Sequence, residues 1–232
     1  MTNKDFIARL ENIAKMKTYY IKGGFGHVLK ASNKKRLIDQ YAANKAKEAK
    51  INSLDPNTFA FDCCGLIKAV YWDFNGDSKK TYGGAIYEAN GIKDMNESGL
   101  LKLCNGVTNN FDKLEVGAFL YTNKPNGHCG IYAGNGKVIE CTPSGSCGVQ
   151  ITDINRVKWQ KWGLLPYIQY TETEVINKPS TSVQDWHIVK RGENLSTIAA
   201  KYGFKDWKAL WALNPEIKNP NLIFIGQRIK IK

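Results

Sequence analysis

Five consecutive residues, Phe61-Asp62-Cys63-Cys64-Gly65, combine a carboxylate with two thiols, and they open an apolar stripe at Leu66, Ile67, Val70 and Tyr71. That spacing is the core-facing side of a helix, so the cysteine pair belongs at a helix N-terminus, with Asp62 as its cap. A thiol attacks carbonyl carbon only as the thiolate. Free backbone N–H groups and the positive end of the helix dipole lower its pKa from about 8.5 toward 7 or below. Further along, His128 begins a strand-like run, Cys129-Gly130-Ile131-Tyr132-Ala133, and Glu140 ends the next, Lys137-Val138-Ile139-Glu140. Thiol, imidazole and carboxylate thus occur in the order that nucleophilic hydrolysis by a Cys-His-acid relay needs. A buried, inert Cys63 and a structural His128 are the bland readings of the same residues. His27 and His187 fall in other patterns and do not compete for the role.

The elements that must position these groups follow from the rest of the chain. It has 232 residues, 43% hydrophobic and 23% charged, which is the balance of an ordinary folded protein. No stretch approaches the roughly 20 apolar residues of a membrane span. The N-terminus leads into an amphipathic helical pattern at Phe6, Ile7, Leu10, Ile13 and Ala14, where a secretory signal would show an unbroken apolar core. Synthesis in the cytosol without a signal peptide is therefore expected. Six cysteines without paired Cys-x-x-Cys spacing are read as free thiols, and a zinc site from Cys129, Cys141, Cys147 and a histidine is the alternative set aside. No metal and no organic cofactor is expected. The net charge of +12 calls for an anionic partner. Arginine is confined to Arg9, Arg36, Arg156, Arg191 and Arg228, with no groove-reading motif, so nucleic acid is not the expected one.

Helical patterns over about 5–16, 33–50 and 62–74 come first. Short strands follow over 116–122, 128–133, 137–141, 148–152 and 163–168. Helices followed by consecutive strands indicate an α+β fold on an antiparallel sheet, arranged as a meander or small barrel. Residues 171–183 are rich in Thr and Ser, carry Pro179 and show neither period. They read as a linker spanning roughly 20 Å. The expected division is 1–170, a linker at 171–183, and a small domain at 184–232.

That last segment resembles a LysM carbohydrate-binding module. The resemblance is carried by Val189-Lys190-Arg191-Gly192-Glu193-Asn194-Leu195-Ser196-Thr197-Ile198-Ala199, by Leu213-Asn214-Pro215, and by Ile225-Gly226-Gln227-Arg228-Ile229-Lys230-Ile231. It implies a βααβ fold that binds chains containing N-acetylglucosamine. By position, the groove would involve Gly192, Glu193, Asn194 and Leu195 with Asn214, Pro215, Glu216 and Ile217.

Residues 18–170 resemble an NlpC/P60 cysteine peptidase, a papain-like fold with N-terminal helices packed on an antiparallel sheet. The matching motifs are Tyr20-x-x-Gly23-Gly24, Phe61-Asp62-Cys63-Cys64-Gly65-Leu66, and Gly127-His128-x-Gly130-Ile131-Tyr132-x-Gly134-Asn135-Gly136 leading to Glu140. The resemblance implies Cys63 as nucleophile, His128 as base, Glu140 as its orienting acid and Tyr20 as a substrate contact. Two departures stand out: Cys64 occupies a position that is usually Ser, and a basic insertion covers about 27–58.

Together the two resemblances imply a peptidoglycan hydrolase that cuts stem peptides, most often between D-γ-glutamate and the following diamino acid, and is held to the bacterial wall by LysM. An endolysin-like role is expected. An N-acetylmuramoyl-L-alanine amidase or a bacterial autolysin on the same scaffold is the alternative, and a non-catalytic wall-binding protein is the reading from another class. Strand alternation adds one geometric requirement. His128 and Glu140 share a face only if the hairpin register is shifted by one residue, as a three-residue loop Gly134-Asn135-Gly136 with Gly136 at positive φ provides. Ala133 would then pair with Lys137, and Glu140 would lie beside His128 facing the Cys63 helix.

Overall fold

Thr2 starts the first helix, α1 (Asn3–Ala14), with a reciprocal cap. Its hydroxyl accepts from the Asp5 amide while the Asp5 carboxylate accepts from the Thr2 amide. Such caps contribute about 1 kcal/mol. Phe6, Leu10 and Ile13 fall on one face of α1 and are buried. The computed structural model describes residues 1–80, 92–170, 186–189, 192–224 and 227–231. The expected linker at 171–183 lies outside the described residues, as do Lys190, Arg191, Ile225 and Gly226 of the C-terminal motif.

Two short strands, β1 (Thr18–Tyr20) and β2 (Phe25–Val28), flank the Gly23-Gly24 turn. The single helix expected over 33–50 is instead three short ones, α2 (Ala31–Gln40), α3 (Ala42–Lys45) and α4 (Glu48–Asn52). The break falls at Tyr41, whose backbone is extended at φ −137 and ψ 127. Asn44 explains it. Its buried amide donates to the Leu37 carbonyl (2.8 Å) and the Lys22 carbonyl, and accepts from the Lys22 amide. A side chain thus takes the place of the next helical hydrogen bond and ties the insertion to the loop after β1.

The chain returns through β3 (Phe59–Phe61), parallel to β1 and antiparallel to β2, and enters α5 (Cys63–Tyr71). Every residue of α5 is buried, as the apolar residues on more than one side of it require. α6 (Glu97–Leu103) leads to β4 (Asn105–Thr108), and then come β5 (Phe119–Thr122), β6 (His128–Gly134), β7 (Lys137–Thr142), β8 (Gly148–Asp153) and β9 (Lys161–Leu164). These form one six-stranded antiparallel sheet in the order β4-β9-β5-β6-β7-β8. β5 to β8 are the expected meander, and β9 returns to lie between β4 and β5. The last strand begins before the expected 163 and stops at Leu164, ahead of Pro166, which has no N–H for a ladder.

Both faces of the sheet are covered. Phe119, Cys129, Ile131, Ile139 and Cys141 pack with α1 and α5, while Leu120, Tyr132, Val138, Trp159 and Trp162 form a second cluster on the other side. Each fully buried Leu, Ile or Phe contributes roughly 1.5–3 kcal/mol. That is what presses α5, and the cysteines at its start, onto β6 and β7.

The C-terminal unit has the expected βααβ order: β10 (Trp186–Ile188), α7 (Leu195–Lys201), α8 (Trp207–Ala212) and β11 (Arg228–Lys230), with β10 and β11 antiparallel. Leu195, Ile198, Leu210, Ile217 and Ile229 make its core. No helix among the described residues is long and apolar enough to cross a membrane.

Candidate active site

Asp62 sits between two backbones. Its Oδ1 accepts from the Gly65 amide at 2.6 Å, capping α5, and its Oδ2 accepts from the Gly23 amide at 2.7 Å. Burial pushes the Asp62 carboxyl up to about 6, against the downward pull of those two bonds. Cys63 is the first residue of the helix so capped. Its thiol is held well below the usual cysteine range: hydrogen bonds from Cys129 and Cys64, and then from His128, outweigh the opposing effect of burial. The neighbouring thiols stay protonated. Burial pushes Cys129 well up, and Cys64 is likewise raised, its bond to Cys63 and its burial outweighing the pull of Cys129. Negative charge therefore collects on Cys63 alone.

The β6–β7 hairpin settles whether His128 and Glu140 meet. Its turn is not the expected three-residue loop. Gly134 pairs with Lys137 across Asn135 and Gly136, which have φ of 50 and 69. Left-handed backbone at both central positions is what a tight two-residue hairpin turn requires, and Asn-Gly supplies it. The one-residue shift comes instead from a bulge in β6 between Tyr132 and Gly134, after which Ile131 pairs with Ile139. Ala133 is the extra residue, so it does not pair with Lys137 as expected. The shift itself is the expected one, and it places His128 and Glu140 on one face.

His128 Nε2 and Glu140 Oε2 are 2.5 Å apart, with the Glu140 side chain fully buried. That leaves the other imidazole nitrogen, Nδ1, for its hydrogen bond with the Cys63 thiol. Burial alone would lower the His128 pKa, but its bonds to Cys63 and Glu140 raise it to about 9. One part of the expected geometry is corrected. Glu140 shares the sheet face of Val138 and Trp159, while Cys129 and Cys141 take the face toward α5. His128 is the first residue of β6, so Cys63 meets it at the end of that strand.

Three further residues complete the site, and none stood out in the sequence. Arg156 donates to Glu140 Oε1 through Nε at 3.0 Å and Nη2 at 2.5 Å, and the Thr152 hydroxyl donates to the same oxygen. Burial favours a protonated Glu140, but the bonds from His128, Arg156 and Thr152 hold its pKa below the usual range. Trp159 stacks on His128 with ring centroids 5.7 Å apart and planes 20° from parallel. The rarity of arginine in this chain was the one available signal for Arg156. Tyr20 ends β1 close enough to Cys63 that burial, and then the Cys63 charge, push its hydroxyl pKa upward. His27 is on β2 beside Phe25, away from the relay.

In the C-terminal unit, Gly192 (φ 83), Asn194, Pro215 and Glu216 are exposed. Asn194 caps α7 through a reciprocal bond with Thr197. Glu193 is half-buried, its Oε2 2.6 Å from His187 Nε2. Leu195 and Ile217 put their side chains into the core. Asn214 is fully buried, donating to the Leu210 and Lys230 carbonyls and accepting from the Lys230 amide.

A thiol at a helix N-terminus, bonded to an imidazole that a buried carboxylate holds from the other side, defines a site of the cysteine-peptidase class on a mixed helix-and-sheet fold. The chain belongs to the NlpC/P60 family, whose model matches residues 50–166, and it carries a LysM domain, matched over residues 187–232. It is also similar to an "Endolysin" of Bacillus phage B103, 51% identical over 55 residues. That match spans 24% of this chain and 20% of the phage protein.

Proposed function

We propose that this protein is a peptidoglycan hydrolase in which Cys63, His128 and Glu140 form a thiol relay that cuts stem peptides. The observation that carries the reading is the placement of Cys63 at the capped start of α5 with His128 held at 2.5 Å by the buried Glu140 carboxylate, and the lowered Cys63 thiol and raised His128 imidazole accord with it. The Cys63 thiolate attacks the scissile carbonyl carbon, and His128 delivers a proton to the departing amine. Water, deprotonated by the same imidazole, then releases the acyl group from sulfur. The Cys63 backbone N–H, at the start of α5, would donate to the oxyanion, a contribution of about 3 kcal/mol. Glu140 keeps the imidazole in one tautomer and favours its charged form. Tyr20, near the sulfur, would contact the substrate.

The preferred bond is the one between D-γ-glutamate and the diamino acid. The module at 184–232, tethered through 171–183 to a catalytic unit at 1–170, would hold the enzyme on N-acetylglucosamine-containing glycan at the bacterial wall, with exposed Gly192, Asn194, Pro215 and Glu216 nearest the sugar. The role is that of an endolysin. Mass spectrometry of muropeptides released from purified sacculi tests it. A new amino terminus on the diamino acid is expected. A new amino terminus on L-alanine would make it an amidase, and no release would leave a wall-binding protein.

A further inference from the structure

Adjacent residues on a helix point about 100° apart, so a Cys-Cys pair does not by itself bring two sulfurs to one point. Here a third cysteine does. Cys129, from the α5-facing side of β6, joins them. The Sγ atoms of Cys63 and Cys64 are 3.9 Å apart, those of Cys64 and Cys129 are 3.6 Å apart, and all three lie within 4.8 Å of one another. A metal bonded to thiolates at about 2.3 Å holds them about 3.8 Å apart at the tetrahedral angle. The sulfurs thus already stand close to the separations such an ion imposes. All three are buried in the apolar core. A carboxylate oxygen, Glu97 Oε2, lies 3.8 Å from Cys64 Sγ.

We propose that Cys63, Cys64 and Cys129 form a binding site for one soft, thiophilic metal cation, such as Cd2+, Zn2+ or Cu+. Softness decides the class: three sulfurs select these ions over Mg2+ or Ca2+, which need oxygen ligands. Each coordinating thiol gives up its proton on binding, so the apo, three-sulfur form is the one in which Cys63 is free. Occupancy ties up the Cys63 sulfur and blocks its attack on any carbonyl. The site therefore couples metal to reactivity in a way the Cys63–His128 pair alone does not. Cys64 and Cys129 form no bond to substrate in the proposed relay, where they only hydrogen-bond the Cys63 sulfur, and the metal site assigns them a further chemical role.

The test titrates Cd2+ into the reduced, chelator-treated full-length chain while thiolate-to-metal charge-transfer absorbance is followed in the ultraviolet. One Cd2+ per chain is expected in the wild type. Cys64→Ser and Cys129→Ser should each weaken binding at least about tenfold, and Cys147→Ser, at a half-buried thiol outside the cluster, should leave it unchanged. Circular dichroism checks that each variant is folded. Should Cys129→Ser fail to fold, Cys64→Ser decides. Equal binding in the wild type and both serine variants would overturn the site, as would the absence of a charge-transfer band. The absorbance needs no substrate, so it decides the metal site even if hydrolysis is never seen. Where hydrolysis is seen, Cd2+ inhibition should weaken in the same two variants.

Discussion

Gly65 of α5 lies so close to Gly24 of the turn between β1 and β2 that a Cβ at residue 65 would sit 1.8 Å from the Gly24 carbonyl oxygen. That same carbonyl accepts the Asp62 amide at 2.9 Å, and Asp62 in turn accepts from Gly23 and Gly65. The Gly-Gly turn is thus keyed directly into the first turn of the helix that presents Cys63. A side chain at residue 65 would push them apart, while a Cβ on Gly24 would meet the β3 backbone of Ala60 and Phe61 at 2.7–2.8 Å.

Gly65→Ala is therefore expected to destabilise the chain by about 1–3 kcal/mol or more, because the clash is with backbone that cannot rotate away. Thermal unfolding measures the loss, and wall clearing should fall with it. An unchanged midpoint would mean that the Gly23-Gly24 turn moves freely.

Cys63→Ala should abolish the clearing of wall suspensions, whereas Cys64→Ser should retain most of it. Only Cys63 carries the lowered thiol. Activity lost in Cys64→Ser and kept in Cys63→Ala would move the nucleophile to the second cysteine.

Activity should follow a plateau bounded by two limbs. The reactive pair needs Cys63 deprotonated and His128 protonated, so the rate should fall as pH rises through about 9, where His128 titrates. On the acid side it should fall as the lowered Cys63 thiol gains its proton. Stability has the matching sign for His128. Its raised pKa contributes fully below about 6.5, the unfolded value, and that contribution is lost as pH rises to about 9. An alkaline limb centred near 6.5 in the rate profile would show an imidazole that neither Cys63 nor Glu140 holds.

Arg156→Met removes a cation from a fully buried carboxylate. Glu140 should then titrate at higher pH, and the acid limb should move upward once Glu140 gains its proton before Cys63 does and releases His128. Thr152 and His128 still bond to Glu140, and Arg156 is partly solvated, so a stability loss of about 1–2 kcal/mol is expected. The pH profile of kcat is the diagnostic, because a purely structural role would lower activity without moving the limb. Arg156→Lys should restore the profile in part.

Residues 1–170 alone should hydrolyse a soluble muropeptide at near the full rate yet clear intact walls many-fold more slowly, since a tethered module acts through effective concentration. Equal loss on both substrates would make the C-terminal unit part of the catalytic fold.

Local chemistry was legible in the chain itself. The Asp-Cys-Cys-Gly start of a helix, its Asp62 cap and the meander of short strands follow from side-chain period, turn residues and capping, which act over a few positions, and the βααβ unit follows from the resemblance to LysM. The need for a one-residue register shift was also legible, because alternation on β6 and β7 allows His128 and Glu140 to meet only that way. Where the shift occurs was not: Asn135-Gly136 satisfies a two-residue turn, and the extra residue was absorbed at Ala133. The unbroken helix expected over 33–50 failed for a related reason, since Asn44 reaches back to Leu37 and Lys22 and outcompetes the helical bond at Tyr41. Arg156, Thr152 and Trp159 around the relay, Gly24 against Gly65, and Cys129 beside Cys63 and Cys64 were decided by tertiary structure alone. Each joins residues from separate elements, and no periodicity within one element records which neighbour will pack against it.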